Sequence, residues 1–353
     1  MNKEFLKALL KAASPSGYEG STSNVFADYM NRFATIVKRD NVGNTVFVIG
    51  NPEAKAKLML SAHIDEIALQ IQNIDDKGFL HFIVDGGVDK KVLPGSQVKI
   101  LTRGGILNGV IGKAPIHIDY HSENKDKAME IKDMKIDIGV ETKEEAKALV
   151  GIGDIAIVHC EPVALGANRI SGRGLDDKAG IFVIAEAAEM LSKQDLSNIC
   201  VYIVACTQEE TTASGAIISA AGLDPNYSID FDVTFATDDE YVSANEWGDI
   251  QLGKGGAIAH GVDNNTYLTN LIKQVCVDSK IPFQEFAVPS GCTDTVHIKQ
   301  SASDCMTQLL SIPNRNMHTQ AEVCDYRDLE SLINMTAKTV VALDMENHGG
   351  YPR

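Results

Sequence analysis

Residues 199–210 read ICVYIVACTQEE, an apolar run that ends in two adjacent glutamates. A run of this length, rich in β-branched residues, predicts a buried β-strand. An ionised pair beside buried neighbours costs free energy unless a cation compensates it. Glu209 and Glu210 therefore mark a candidate chemical site at the end of this strand, with a solvated strand end as the plainer alternative.

Strands and helices alternate on both sides of this run. Apolar strands are predicted at KLMLSAH (57–63), SIDFDVTFAT (228–237) and TQLLSI (307–312). Helical periodicity separates or follows these strands at residues 179–192, 214–221, 264–279 and from 326 onward. This alternation predicts an α/β fold with a mainly parallel sheet and helices on both of its faces.

A stretch of different texture interrupts the α/β pattern. From about Ile67 to Glu161 the chain shows many short β-like runs, frequent glycines and one strongly charged segment. The α/β pattern is present before this stretch and resumes at Pro162. We therefore expect two domains: residues 1–66 and 162–353 form the main one, and residues 67–161 form an inserted β-rich one.

Composition narrows the classes of function. The chain has 353 residues and a formal net charge of −16, which argues against a nucleic-acid partner because such binding needs clustered Lys and Arg. The first 13 residues carry charge and lack the long apolar block of a signal peptide or a membrane span. Seven cysteines without a CxxC pair fit a reducing compartment. We expect a cytoplasmic protein with no membrane segment.

Polar residues follow several predicted strands, where an open α/β sheet gathers its ligands. The set comprises His63, Asp65, Asp176, Asp177, Glu209, Glu210, Asp232, Asp238 and His318. Two histidines and several carboxylates give the mixed nitrogen and oxygen donors expected for zinc, cobalt or manganese. The combination predicts a metal hydrolase, in which one carboxylate binds metal and another moves a proton.

Each of these signals also has an ordinary structural interpretation. His63 and Asp65 could form a hydrogen-bonded surface turn. Asp176 and Asp177 could be a helix N-cap with an acidic first turn. His318 could be an ordinary loop histidine. Only the combination of these residues at the ends of successive strands therefore predicts a metal site.

Several motifs in the same order resemble one known family. They are SPSGYEG (14–20), AHIDEIALQI (62–71), GRGLDDKAG (172–180), TQEETTASGA (207–216), DVTFATD (232–238), GKGGA (253–257), GCTDTVHIK (291–299) and RNMHTQAEVCDYRDLE (315–330). The chain resembles the glutamyl aminopeptidase and tetrahedral (TET) aminopeptidase family of co-catalytic two-metal metallopeptidases. The resemblance implies a doubly wound peptidase domain with a β-barrel-like insertion that serves as a dimerisation or lid domain. It also implies release of N-terminal residues from peptides with a free N-terminus.

The resemblance assigns a role to each candidate residue. Two divalent ions per subunit, zinc or cobalt with manganese as a third candidate, would bind His63, Asp176, Glu210, Asp232 and His318. Asp176 would bridge the ions, and Glu209 would be the general base on a water held between them. Asp65 would orient His63, and Asp177 would shape the bridging loop. Asp238 is the fallback for Asp232.

The resemblance also bears on assembly, on the substrate pocket and on alternative functions. It implies a homo-oligomer, with a dodecamer built from dimers as the form common in the family. This chain departs from the family pattern at Thr211, Thr212 and Cys292, positions that border the substrate pocket in the family. The alternatives are an N-acyl-amino-acid hydrolase or an endoglucanase-labelled homologue with the same site, and a non-catalytic self-assembling scaffold.

Overall fold

The computed structural model describes residues 1–119, 127–291 and 293–346. The strands in these ranges are, in chain order, β1 Thr35–Arg39, β2 Thr45–Gly50, β3 Ala56–His63, β4 Ala68–Ile74, β5 Leu80–Asp85, β6 Gln97–Thr102, β7 Gly105–Ile111, β8 Ile136–Asp137, β9 Ile155–Val158, β10 Val163–Leu165, β11 Arg169–Gly172, β12 Ile199–Cys206, β13 Tyr227–Phe235, β14 Gly256–His260, β15 Phe283–Ala287, β16 Met306–Asn314 and β17 Glu322–Asp325. The helices are α1 Lys3–Lys11, α2 Gly20–Met30, α3 Ile116–Asp119, α4 Lys143–Leu149, α5 Leu175–Leu191, α6 Glu209–Thr212, α7 Ser214–Leu223, α8 Ala244–Trp247, α9 Thr266–Ser279, α10 Asp294–Ser301 and α11 Tyr326–Glu346, with one 3₁₀ turn at Ile131–Asp133.

Within the described ranges, eight strands form one sheet in the order β1-β2-β12-β3-β13-β16-β14-β15. The four central strands, β12, β3, β13 and β16, pair in parallel. The pairings of β1 with β2, β2 with β12 and β14 with β16 are antiparallel. The fold is α/β as the sequence predicted, and the sheet is mixed with a parallel centre.

The central strands are apolar on both faces because helices cover both faces. In β3, Leu58 and Leu60 pack into the large core that α1, α2, α5, α9 and α11 share. Met59, which points the other way, packs with Ala216 of α7 and Ile298 of α10. Successive side chains of a strand point to opposite faces, so one continuous apolar run serves two cores.

The strands of the β-rich stretch form a barrel. Strands β4 to β9 close into a barrel in the order β4-β5-β8-β7-β6-β9. The barrel has its own apolar core, which includes Leu69, Phe82, Val98 and Ile136. All of its strands lie inside the range 67–161 that the sequence predicted for the insertion. No helix in the described part of the chain is long and apolar enough to cross a membrane.

Strand register brings the predicted site residues to one edge of the large sheet. His63, the last residue of β3, pairs with Cys206, the last residue of β12, and Glu209 and Glu210 follow β12 after two intervening residues. Asp232 lies near the end of β13. A small sheet, β10-β11-β17, pairs Gly172 with Glu322 and so holds the loop before α5 beside the same edge.

Gly215 in α7 lets this helix pack closely against the end of β12. A Cβ at Gly215 would lie 2.3 Å from the backbone nitrogen and oxygen of Thr207, two residues before Glu209. We expect Gly215→Ala to lower the free energy of unfolding by about 1–3 kcal/mol through overpacking. Thermal unfolding at equal protein concentration measures the change.

Gly222 supplies the matched control in the same helix. The nearest atom to a Cβ there is Lys38 Nζ at 3.9 Å, and Gly222 is exposed. Gly222→Ala should raise stability by about 0.5–1 kcal/mol, because alanine loses less backbone entropy in a helix. Equal melting temperatures for the two variants would contradict the role assigned to Gly215.

Candidate functional site

The Asp176 carboxylate lies between two histidines. Its Oδ1 is 3.0 Å from Nε2 of His63, and its Oδ2 is 3.3 Å from Nε2 of His318. Asp176 is 5% exposed, so water screens these contacts little. The two oxygens of one carboxylate thus face two separate nitrogen donors.

Three further acids surround Asp176, two on the side of His63 and one on the side of His318. On the His63 side, Nε2 is 3.9 Å from Asp232 Oδ1 and 3.9 Å from Glu209 Oε2. On the other side, His318 Nε2 is 3.5 Å from Glu210 Oε2. The structure therefore brings together all five residues predicted as metal ligands, with Glu209 beside them.

The histidines present the nitrogen that a metal ligand requires. His318 Nδ1 donates its proton to the carbonyl oxygen of Gly87 at 2.9 Å, so Nε2, which faces Asp176, is the nitrogen available to a metal. His63 Nδ1 lies 3.5 Å from Asp65 Oδ1, so its Nε2 also faces Asp176. A carboxylate or carbonyl on the second nitrogen is the usual support of a metal-bound imidazole.

The carboxylates have few compensating charges. Burial raises the pKa values of Glu209, Glu210 and Asp232. Burial would also raise the pKa of Asp176, but the two histidines outweigh it and lower that pKa. The Asp176 contact raises the pKa of His318 to about 10. Within the described ranges the ion-pair partners of these four acids are only the two histidines. This surplus of buried acid fits divalent cations, which compensate the charge and use every donor present.

Asp65 connects His63 to the paired glutamates. Its Oδ1 accepts the backbone N–H of Glu209 at 3.0 Å, and its Oδ2 accepts that of Glu210 at 3.1 Å. The Ser16 hydroxyl donates to Oδ2 at 2.6 Å. Asp65 is fully buried, so it fixes the turn that aims both glutamates.

The adjacent aspartates Asp176 and Asp177 have different surroundings: one faces the site and the other caps a helix. Asp177 Oδ1 accepts the backbone N–H of Gly180 at 3.0 Å, which is a capping contact at the start of the regular part of α5. Asp176 has non-helical dihedral angles and turns into the site. The peptide bond between them is cis.

Asp238 lies outside the group. Arg315 donates to Asp238 Oδ1 at 2.9 Å from Nε and pairs with it at 2.8 Å through a terminal nitrogen. The other oxygen accepts the backbone N–H of Leu252 at 3.2 Å. This geometry favours Asp232 over Asp238 as the fifth donor.

Sequence reasoning missed Glu322. One of its oxygens accepts the backbone N–H of Asp176 at 3.0 Å, and the other accepts that of His318 at 3.0 Å. Glu322 is 2% exposed and begins β17. A single carboxylate thus holds the backbone of two candidate ligands, and the available signal was an acidic residue at the start of a buried strand.

Glu66 is a second supporting carboxylate that the sequence did not single out. Lys178 donates to its Oε1 at 2.8 Å, and Arg173 contacts its Oε2. The backbone N–H of Ser14 donates to the same Oε1 at 2.9 Å. The cluster joins the loop after β3 to the loop that carries Asp176.

A cavity of about 400 Å³ opens beside the group of acids. Thr293 is one of its lining residues, and the neighbouring Cys292 lies outside the described residues. Thr211 and Thr212 are exposed and do not line this cavity.

The chain is similar to known aminopeptidases along most of its length. The family model described as M42 glutamyl aminopeptidase matches residues 43–335. A lysyl aminopeptidase of Pyrococcus furiosus is 30% identical over 338 residues, which cover 94% of each chain. The solved aminopeptidase of Desulfurococcus kamchatkensis is 32% identical, with a TM-score of 0.88 and coverage of 99% of this chain and 98% of that one. The TET1 peptidase of Pyrococcus horikoshii, which can assemble into a tetrahedron or a large octahedral shell, is 30% identical, with a TM-score of 0.86 and coverage of 96% and 98%.

Replacing Glu322 tests its positioning role. In Glu322→Gln only the amide oxygen can accept, so one backbone N–H, of Asp176 or His318, loses its partner. We expect zinc affinity to fall about 10- to 100-fold, the usual cost of removing a group that supports metal ligands. Competition with a chromophoric chelator measures the affinity.

Glu330→Gln is the control, since it removes the same charge from an exposed position of α11. It should bind zinc as the wild type does. Wild-type affinity in Glu322→Gln, or equal losses in both variants, would contradict the assignment.

Proposed function

The chain belongs to the M42 glutamyl aminopeptidase family, and we propose that it is a metal-dependent enzyme that releases N-terminal residues from peptides. Its relatives are peptide hydrolases, and the aminopeptidase activity follows from the family. The observation that carries metal dependence is the buried Asp176 carboxylate, shared between His63 and His318.

Five side chains would hold the metals. Asp176 would serve both ions, with His63 and Asp232 on one side and His318 and Glu210 on the other. Two ions, zinc or cobalt with manganese as a third candidate, fit this mixture of imidazole and carboxylate. Bound there, they would act as Lewis acids on the scissile carbonyl and lower the pKa of a nearby water toward about 7.

Glu209 is the better candidate for proton transfer. Its side chain is 19% exposed on the cavity wall, whereas that of Glu210 is 5% exposed. Burial raises the pKa of Glu209, which makes it a stronger base than a free glutamate. We assign to its carboxylate the removal of a proton from water and the delivery of that proton to the departing amine.

The surplus of acid also suits a substrate with a free amino terminus. A peptide α-ammonium carries a positive charge, and the acids around Asp176 face the cavity. The first residue would therefore bind with its ammonium toward the acids. N-acylation removes that charge and so should abolish recognition.

The inserted barrel is assigned a lid and dimerisation role. Gly87, in the loop between β5 and β6, accepts the hydrogen bond of His318 Nδ1, so the insertion contacts the site directly. We propose a homo-oligomer, a dodecamer built from dimers, in line with the assembling relative from Pyrococcus horikoshii. The cytoplasm is the proposed location, because the cysteines in the described ranges are all free thiols.

Two isosteric substitutions distinguish the roles proposed for Glu209 and Glu210. Glu209→Gln should retain metal and lower kcat by about 100- to 10,000-fold, because the amide cannot accept the proton. Glu210→Gln should bind less metal, because an amide is a weaker ligand than a carboxylate. Metal content and kcat are measured on both variants, and near-normal turnover in Glu209→Gln would contradict its assignment.

The substrate for these assays is a short leucyl peptide, used free and N-acetylated. The wild type should cleave only the free form, lose activity with a chelator and regain it with zinc or cobalt. Equal cleavage of the acetylated form would instead favour the N-acyl hydrolase alternative. Full activity after verified metal removal would contradict the metal-dependent mechanism.

A further inference from the structure

The cavity beside the acids has an uncharged wall. Away from Glu209 and the candidate ligands, its described lining residues carry no charged side chain. They include Phe235, Trp247, Phe286, Val288, Leu309 and Met317. Aromatic and aliphatic groups therefore form most of the surface that a ligand would touch.

Packing holds this apolar wall in place. Phe286 and Leu309 belong to a buried cluster with Ile250, and Val288 packs against that cluster. Trp247 meets Phe235 edge to face, with ring centroids 4.8 Å apart. A wall supported from behind is preformed, which is usual for a pocket that binds small apolar groups.

The cavity is also much larger than a second one that borders the acids. The other lies toward the barrel, shares Asp176, Glu210 and His318, and has a volume of about 40 Å³. That volume holds only a few waters. A side chain of leucine size fits the cavity of about 400 Å³ and does not fit the smaller one.

We propose that this cavity is the specificity pocket for the first residue of the substrate, and that it selects uncharged apolar side chains such as those of leucine, methionine and phenylalanine. The inference rests on the proposed aminopeptidase function. A lysyl, arginyl or glutamyl side chain would lose its hydration against Phe286, Val288 and Leu309 without gaining a partner of opposite charge on this wall. Three of the acids that line the cavity are the candidate metal ligands, and the fourth, Glu209, is the proposed base, so these acids are already engaged when a cationic side chain enters.

The first test is a panel of aminoacyl amides that carry one fluorophore and differ only in the amino acid. With zinc supplied, kcat/KM for the leucyl, methionyl and phenylalanyl amides should exceed that for the lysyl, arginyl and glutamyl amides by about tenfold or more. Faster cleavage of a charged amide would overturn the inference and leave the aminopeptidase function standing. Cleavage of none of the amides would overturn the proposed function and the inference with it.

A matched pair of variants tests the wall itself. Val288 is half-buried on the rim, so Val288→Asp adds a carboxylate and Val288→Asn adds a neutral group of the same size. The ratio of kcat/KM for the lysyl amide to that for the leucyl amide should rise about tenfold in the Asp variant relative to the Asn variant. Equal ratios in the two variants would overturn the placement of the substrate side chain in this cavity.

Trp247→Ala provides a second measurement that does not depend on charge. Trp247 is 44% exposed, so its removal leaves the core intact and shortens one wall. The phenylalanyl amide should lose several-fold in kcat/KM relative to the alanyl amide, whose methyl group is too short to reach this wall. Equal losses for both amides would count against the pocket.

Discussion

The fold brings several buried carboxylates together. The carboxylate of Asp176, which contacts both His63 and His318, lies at the centre of this group. Glu209, Glu210 and Asp232 lie around it, and the ion-pair partners of these four acids in the described chain are only His63 and His318. Buried like charges of this kind are costly without cations. Under the proposed function, metal binding would stabilise this region, since the same ions would provide the catalysis and compensate the charge.

Distant parts of the chain converge on this point because of strand register. The parallel pairing of β3, β12, β13 and β16 puts the ends of these strands at one edge of the sheet. The small sheet that contains β11 and β17 brings Asp176 and His318 to the same edge. Asp65 and Glu322 accept backbone N–H groups of neighbouring site residues, which sets the directions of the donors.

The sequence predicted much of this arrangement, for a physical reason. His63 ends one apolar strand and Glu209 lies just beyond the end of another. The carboxyl ends of parallel strands meet, so convergence could be expected without coordinates. The antiparallel pairing of β14 with β16 could not be predicted, because the apolar pattern of β14 is the same whichever way the strand runs. The role of Glu322 was not predicted, because its partners are the backbone N–H groups of Asp176 and His318. Every residue type except proline has such a group, so these contacts produce no sequence motif. The capping interpretation of the aspartate pair was correct for Asp177, whereas Asp176 turns inward.

Anomalous X-ray scattering from crystals of the zinc-loaded protein tests whether two cations share Asp176. Such sharing would give two peaks per subunit at the zinc edge, one on the His63 and Asp232 side of Asp176 and one on the His318 and Glu210 side. Both peaks should disappear in Asp176→Ala. A single peak, peaks away from Asp176, or two peaks that persist in Asp176→Ala would contradict it.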